Sequence, residues 1–216
     1  MLSILCALAG IGVLLICSEI LWRKGILRGE YGRKFVHIIG GSYVAFWPFF
    51  LSFRVIEVLS LLCFLVLVVS RVFKLFHAVH DVTRLTVGEL VSPLAAFFVA
   101  VFARAPWIFT ASILFVALAD GFAAVIGKKY GTKKWSFSPF GSCKSLAGNL
   151  AYIVAAYVVL GIAMLIGGKT TLTNSPVLTF LWLPFFCLCV ENFSPYGTDN
   201  LTIPVLVVLI LNLLIV

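Results

Sequence analysis

Apolar residues occur along this sequence in long runs, and polar residues are concentrated between the runs. Eight runs can be distinguished, at residues 3–21, 35–53, 55–70, 90–103, 107–126, 146–167, 177–190 and 201–216. Most approach the roughly 20 residues that a helix needs to cross a bilayer. The sequence lacks the alternating pattern of barrel strands, which are about 10 residues long. Because a chain in lipid must satisfy its backbone hydrogen bonds internally, the runs predict a polytopic all-α membrane protein.

The predicted number of transmembrane helices is eight, with a range of seven to nine because the fourth and seventh runs are short. Hydrophobic residues make up 62% of the 216 residues and charged residues only 11%, which excludes an ordinary soluble domain. The first run has no basic stretch before it and no cleavage site after it, so it is predicted to be a retained helix. Residues 1–216 are predicted to form one integral membrane domain.

Basic residues are distributed unevenly between the loops. The first loop contains Arg23, Lys24, Arg28, Arg33 and Lys34, and the fifth contains Lys128, Lys129, Lys133, Lys134 and Lys144. The second, fourth and sixth loops have one basic residue each. Because cytoplasmic loops carry an excess of lysine and arginine, the odd-numbered loops are predicted to be cytoplasmic and the N-terminus outside.

Asp120 interrupts the fifth apolar run, where an unpaired carboxylate is costly. It is either a functional carboxylate that binds a divalent cation, or a structural one that a lysine or hydroxyl satisfies. Ala123, Ala124 and Gly127 share its helical face at i+3, i+4 and i+7. These small residues predict either close helix packing or space for a ligand, and the sequence leaves both open.

The loop after Asp120 contains residues that could bind phosphate. Lys144 and Ser145 open the sixth helix, where free N–H groups and the helix dipole favour an anion. Lys128 and Lys129 could bind the same anion, or they could only mark the cytoplasmic side.

Acidic residues reappear after the seventh run, against the trend of positive charge on this face. Glu191, Asp199 and Asn200 are predicted to lie at the same face as Asp120. Asp199 or Asn200 could instead cap the eighth helix, with Pro204 in its first turn. Together with Asp120, two carboxylates opposite a lysine-rich loop fit metal-assisted phosphoryl transfer.

Two further segments contribute polar residues to this face. Arg33 and His37 share one side of the second helix at i, i+4, and the third loop adds Arg84 and Glu89. His37 lies one turn deeper than Arg33, which favours a site rather than a topology signal.

Four stretches in order resemble the CTP-dependent lipid-alcohol kinases, a family that includes phytol, dolichol and polyprenol kinases. They are RKFVHIIGG, TRLTVGELVSP, LADGFAAVIGKKYG continuing into KSLAGNLA, and TDNLTIPV, and they span residues 33–205. The resemblance implies an integral membrane enzyme that transfers the γ-phosphate of CTP to a long-chain alcohol, with Mg²⁺ as cofactor. The compact length is closer to the phytol kinase type.

The resemblance also implies roles for the matching residues. The expected catalytic residues are Asp120, Lys144 and Asp199. Asp120 and Asp199 are the expected metal ligands, and they would divide magnesium binding and activation of the hydroxyl between them in an order that the sequence does not decide. The expected nucleotide- and cofactor-binding residues are Lys128, Lys129, Ser145, Gly148, Asn200, Arg33, His37 and Glu89. The expected partners are the lipid alcohol, the nucleotide and membrane lipids. No nucleic-acid partner is expected, and the oligomeric state is open.

Two other functions fit parts of this pattern. A phosphatidate cytidylyltransferase also uses CTP and magnesium in the membrane, although the serine, Lys-Arg and His-Gly-Gly signature associated with that family is missing here. A transporter of an anionic metabolite would place polar residues at mid-depth and in both halves of the helices, whereas here they cluster at one interface.

Overall fold

The computed structural model describes residues 1–73, 75–81, 86–131, 134–136, 143–167 and 176–214, without the side chains of residues 134–136, 143 and 176. Arg84, Lys133 and Lys169 lie outside the described residues, as does the side chain of Lys134. Statements about the predicted site therefore concern the remaining residues.

Helices account for most of the described chain. They are α1 Leu2–Arg23, α2 Glu30–Ala45, α3 Phe53–Val72, α4 His77–His80, α5 Gly88–Phe102, α6 Pro106–Leu114, α7 Gly121–Tyr130, α8 Leu146–Gly167, α9 Pro176–Phe193 and α10 Asp199–Asn212. A 3₁₀ turn at Trp47–Phe49 follows α2, and strands β1 Lys134–Ser136 and β2 Cys143–Ser145 pair antiparallel between α7 and α8. The fold is therefore all-α with one short β-ribbon.

Within the described residues, every predicted apolar run overlaps a helix. In the described part of the chain, four helical segments are long and apolar enough to cross a membrane: Leu2–Arg23, Phe53–Val72, Pro106–Tyr130 and Leu146–Gly167. Shorter apolar helices cover Gly88–Phe102, Val177–Phe193 and Asp199–Asn212. An integral membrane protein is consistent with these helices, while the number of crossings and the outside N-terminus stay predictions.

Most helix boundaries differ from those of the apolar runs, and the second run differs most, because α2 ends at Ala45 although the run continues to residue 53. Two other differences affect the predicted site. Helix α9 continues to Phe193, so Glu191 lies in its last turn rather than in a loop. Helix α10 begins at Asp199 after the N-cap residue Thr198, which places Pro204 in the second turn instead of the first. Neither Asp199 nor Asn200 is the cap. The difference arises because a hydrophobic run marks the lipid-compatible part of a helix, whereas hydrogen bonding extends the helix into polar sequence.

The fifth apolar run forms the central helix of the protein. Helices α6 and α7 are continuous through a π-helical stretch, Phe115–Asp120, that ends at the acidic residue. This segment is mostly buried, and it packs against α2, α8 and α10. A π-helix widens the turn and occurs often at functional sites. The wide turn therefore presents Asp120 toward several neighbouring helices at once.

Candidate active site

Three carboxylates converge inside the helical bundle. Asp120 comes from the end of the π-helical stretch, Glu191 from the last turn of α9 and Asp199 from the first turn of α10. One oxygen from each lies within 4.8 Å of the others, and the residues are only 5%, 2% and 7% exposed. Like charges buried at this separation repel strongly, so the cluster requires nearby positive charge.

Two lysines supply part of this charge. Lys34 of α2 forms an ion pair with Asp120, and Lys144 of β2 binds Glu191 at 2.5 Å. Among the residues that the structure describes, none forms an ion pair with Asp199. When all three carboxylates are ionised, they carry one negative charge more than the two lysines neutralise, and Oε2 of Glu191 is buried without a hydrogen-bond partner. Oxygen ligands with excess negative charge fit a hard divalent cation such as Mg²⁺.

Lys144 lies at the junction between the β-ribbon and α8. Burial lowers the pKa of its ammonium, but Glu191 and Asp199 raise it by more, so that the pKa ends above its ordinary value. Lys144 therefore stays charged over any practical assay range. Next to it, Oγ of Ser145 accepts a hydrogen bond of 3.1 Å from the Gly148 N–H and so caps the first turn of α8.

The small residues beside Asp120 serve helix packing. A Cβ atom added at Gly148 would lie 2.8 Å from the Ala123 carbonyl oxygen and 3.3 Å from the Gly127 Cα. Helices α7 and α8 therefore approach too closely for a ligand between these residues. Of the two interpretations left open by the sequence, close packing is the one that the structure supports at these positions.

One face of helix α2 contacts the carboxylate cluster. Nε2 of His37 lies 3.5 Å from the Asp120 carboxylate and 3.3 Å from the Val116 carbonyl oxygen. A carbonyl oxygen only accepts hydrogen bonds, so this contact needs the proton on Nε2. Lys34 and His37, three residues apart, thus both face Asp120.

A second polar group lies beside the cluster. Arg33, Glu89 and Asn200 surround the backbone of Gly88, where an added Cβ would be 2.6 Å from Asn200 Nδ2 and 3.3 Å from Arg33 Nη1. Arg33 is paired with Glu30, and Glu89 with Arg71. Nevertheless Arg33 Nε, Glu89 Oε2 and Asn200 Oδ1 are buried without hydrogen-bond partners. Unsatisfied groups of this kind are costly, which indicates a polar ligand at this position.

The loop between α9 and α10 holds this group in place. Gly197 has φ of +85°, and an added Cβ would lie 2.7 Å from Thr86 Oγ1 and 3.0 Å from the Gly88 Cα. The Val87 N–H also donates to the Tyr196 carbonyl oxygen at 2.9 Å. Because the loop fastens the start of α5 to the start of α10, Glu89 and Asn200 are brought to the same end of the bundle.

Comparison with known proteins supports the resemblance seen in the motifs. The chain is 25% identical over 215 residues to "Phytol kinase" of Synechocystis sp., a match that covers 90% of this chain and 83% of that protein. It is 28% identical over 166 residues to "Phytol kinase 1, chloroplastic" of Arabidopsis thaliana, covering 70% of this chain and 54% of that protein. Over most of its length, the chain is therefore similar to proteins named phytol kinase. The predicted resemblance to lipid-alcohol kinases is thereby confirmed, although no family model and no solved structure matches the chain.

The fold brings most of the predicted site residues to one end of the bundle. The residues that line or adjoin the two polar groups are Asp120, Lys144, Asp199, Ser145, Gly148, Asn200, Arg33, His37 and Glu89. Lys128 and Lys129 are exposed instead, with their ammonium groups 4.5 Å and 5.1 Å from the ring centroids of Tyr31 and Tyr130. Their role in nucleotide binding stays a prediction.

Lys34 and Glu191 belong to the site although the sequence pattern did not predict a role for either residue. Lys34 is one of the basic residues of the first loop that indicate topology, yet it is 2% exposed and is the ion-pair partner of Asp120. Its spacing of three residues from His37 places both side chains on one face of α2, and this spacing could have indicated a role in the site. Glu191 was noted only as an acid on the predicted cytoplasmic face, and its burial depended on α9 being longer than its apolar run.

Proposed function

We propose that this protein is a magnesium-dependent kinase that transfers the γ-phosphoryl group of CTP to the hydroxyl of a long-chain isoprenoid or lipid alcohol at the cytoplasmic membrane face. The carrying observation is the convergence of Asp120, Glu191 and Asp199 beside Lys144. Similarity to proteins named phytol kinase supports the choice of a lipid alcohol as acceptor.

The reaction needs few covalent roles for the protein. The hydroxyl oxygen of the alcohol attacks the γ-phosphorus, the bond from that phosphorus to the bridging oxygen of the β-phosphate breaks, and CDP leaves. The hydroxyl proton passes to a carboxylate. Catalysis of such transfers depends mostly on positioning and charge neutralisation. Lys144, a permanent cation at the start of α8, is placed to neutralise the transferring phosphoryl group.

Asp199 is the best acceptor for the proton. Asp120 and Glu191 already face lysine ammonium groups, whereas no described residue forms an ion pair with Asp199. Its neighbour Asn200 belongs to the second polar group, where a hydroxyl could approach. Asp120 and Glu191 would then hold Mg²⁺, with Lys34 and His37 fixing the orientation of Asp120. When bound, the ion supplies charge neutralisation for the phosphates.

The test is incubation of the purified protein in lipid nanodiscs with phytol, magnesium and CTP radiolabelled at the γ-phosphate. The kinase proposal expects the label in phytyl phosphate, with loss of the reaction on chelation of magnesium. A second reaction contains diacylglycerol phosphate in place of phytol. Appearance of the label in pyrophosphate in that reaction would indicate a cytidylyltransferase instead. Parallel reactions with ATP, GTP and UTP test the choice of nucleotide.

Substitutions test the assigned roles. Asp199→Asn and Lys144→Met should each lower kcat by roughly 100-fold or more, the usual cost of removing a group that stabilises the transition state. Lys24→Met, which removes an exposed lysine at the same end of the protein, and Glu57→Gln are the matched controls. Normal turnover in Asp199→Asn would exclude it as the proton acceptor.

A further inference from the structure

A largely apolar cavity of about 360 Å³ lies between helices α1, α2, α3, α5 and α6. This volume is within the range of roughly 300–1,000 Å³ typical of small-molecule sites. Helices α1 and α3 form its lipid-facing walls, and only 11% and 22% of their apolar windows are buried. The cavity is therefore separated from the surrounding lipid by two sparsely covered helices.

One face of α2 forms the inner wall. Arg33, His37, Gly40 and Val44 line the cavity at successive turns of this helix. At 1.5 Å per residue, the wall from Arg33 to Val44 is about 16 Å long, roughly half of a hydrocarbon core of about 30 Å. The cavity is thus an elongated space along α2 rather than a compact chamber.

Polar groups occur at one end of this space. Arg33, Glu89 and Asn200 line that end, and each has a buried polar atom without a hydrogen-bond partner. His37, the next polar residue along the wall, also lies 3.5 Å from Asp120. An occupant with one polar head and one apolar tail would satisfy the free groups and place its head beside the carboxylate cluster.

The opposite wall has an open position. Gly12 of α1 lines the cavity, and a Cβ added there would meet no atom within 4 Å. Leu14, two residues away, is 2.9 Å from a Cβ added at Gly40, and Gly10 is next to Tyr43, so Gly12 lies at about the level of Gly41 on α2. Counted from Arg33 to Gly41 at 1.5 Å per residue, this is about 12 Å from the polar end. A side chain at position 12 would thus obstruct a long tail but not a short one.

We propose that this cavity binds the hydrocarbon tail of the acceptor, a single-chain isoprenoid alcohol, and that Gly12 keeps the distal part open for a long tail. This assignment rests on the proposed kinase function for its ligand class. One elongated space with one polar end fits one chain, whereas diacylglycerol would need room for two.

The test compares Gly12→Leu with Gly161→Leu. Gly161 is also a helical glycine of a membrane-spanning helix, its added Cβ has only a Phe180 ring atom at 4.0 Å, and it does not line the cavity. The substrates are phytol and geraniol, which has half as many isoprene units. Gly12→Leu should lower kcat/KM for phytol by about tenfold, the loss of contacts equivalent to roughly two buried methylene groups. Turnover of geraniol should stay within twofold, which also shows that the variant is folded.

Equilibrium binding of tritiated phytol without nucleotide provides a readout independent of catalysis. Gly12→Leu should weaken it by a similar factor, Gly12→Ala by less, and Gly161→Leu not at all. If the protein phosphorylates phytol but Gly12→Leu changes neither phytol binding nor turnover, the cavity assignment is overturned and the kinase function stands. If phytol binding depends on Gly12 but no nucleotide donates a phosphoryl group, the cavity assignment is supported and the proposed kinase reaction is overturned. Displacement of phytol by diacylglycerol as effectively as by unlabelled phytol would refute the single-chain assignment.

Discussion

Replacing Lys34 by methionine tests the charge balance of the carboxylate cluster. The substitution keeps most of the apolar stem but leaves Asp120 without its lysine partner, and the two residues are 2% and 5% exposed. Removing one partner of a buried ion pair typically costs about 3–5 kcal/mol. His37 at 3.5 Å remains near Asp120, so a value of about 3 kcal/mol is expected from the lower end of that range.

The effect should be measurable as a melting temperature in detergent, followed by tryptophan fluorescence. At about 2–4 °C per kcal/mol for a chain of this size, Lys34→Met should melt about 6–12 °C below the wild type. The double variant Lys34→Met/Asp120→Asn removes both charges and should regain most of this loss. Its kinase activity should nevertheless stay low, because the asparagine cannot replace the carboxylate as a metal ligand.

The matched control is Lys24→Met, which removes an exposed lysine from the same end of the chain and should leave the melting temperature unchanged. The reasoning would be refuted if Lys34→Met melted within about 2 °C of the wild type, less than 1 kcal/mol on the same scale. It would also fail if the double variant were as unstable as the sum of its two single variants, since the charges would then not interact.

Two further predictions concern parts of the fold outside the charge cluster. Gly148→Ala should lower the free energy of unfolding by about 1–3 kcal/mol, the usual cost of overpacking, because the new Cβ would lie 2.8 Å from the Ala123 carbonyl oxygen. Gly161→Ala is the matched control. Equal melting temperatures for the two variants would contradict the close packing. The Gly29 N–H and the Trp22 indole lower the pKa of Asp81 below 3.8, so its carboxylate stabilises the fold above that pH and this contribution is lost as the pH falls further. Chemical denaturation at several pH values should therefore show an advantage of wild type over Asp81→Asn at neutral pH that shrinks below pH 3.8, and an advantage independent of pH would contradict this account.

The hydropathy pattern alone predicts a membrane protein and the approximate positions of its helices. Hydrophobic runs are local features, and lipid forces each run to satisfy its own backbone hydrogen bonds as a helix. The same local information singled out Asp120, Lys144 and Asp199, because charged residues next to or inside such runs are costly unless they are compensated. The motifs around them also carried the resemblance to lipid-alcohol kinases.

Which charges compensate one another follows from the packing of the helices and not from the local sequence. Lys34 and Asp120 are 86 residues apart, and Lys144 and Glu191 are 47 apart, so their pairing depends on how the helices pack. Packing also assigned the small residues next to Asp120 to helix contact with α8, and it left the open space beside Gly12. Hydropathy has no information on these distances, because lipid solvates all apolar helix faces alike and cannot show which faces meet.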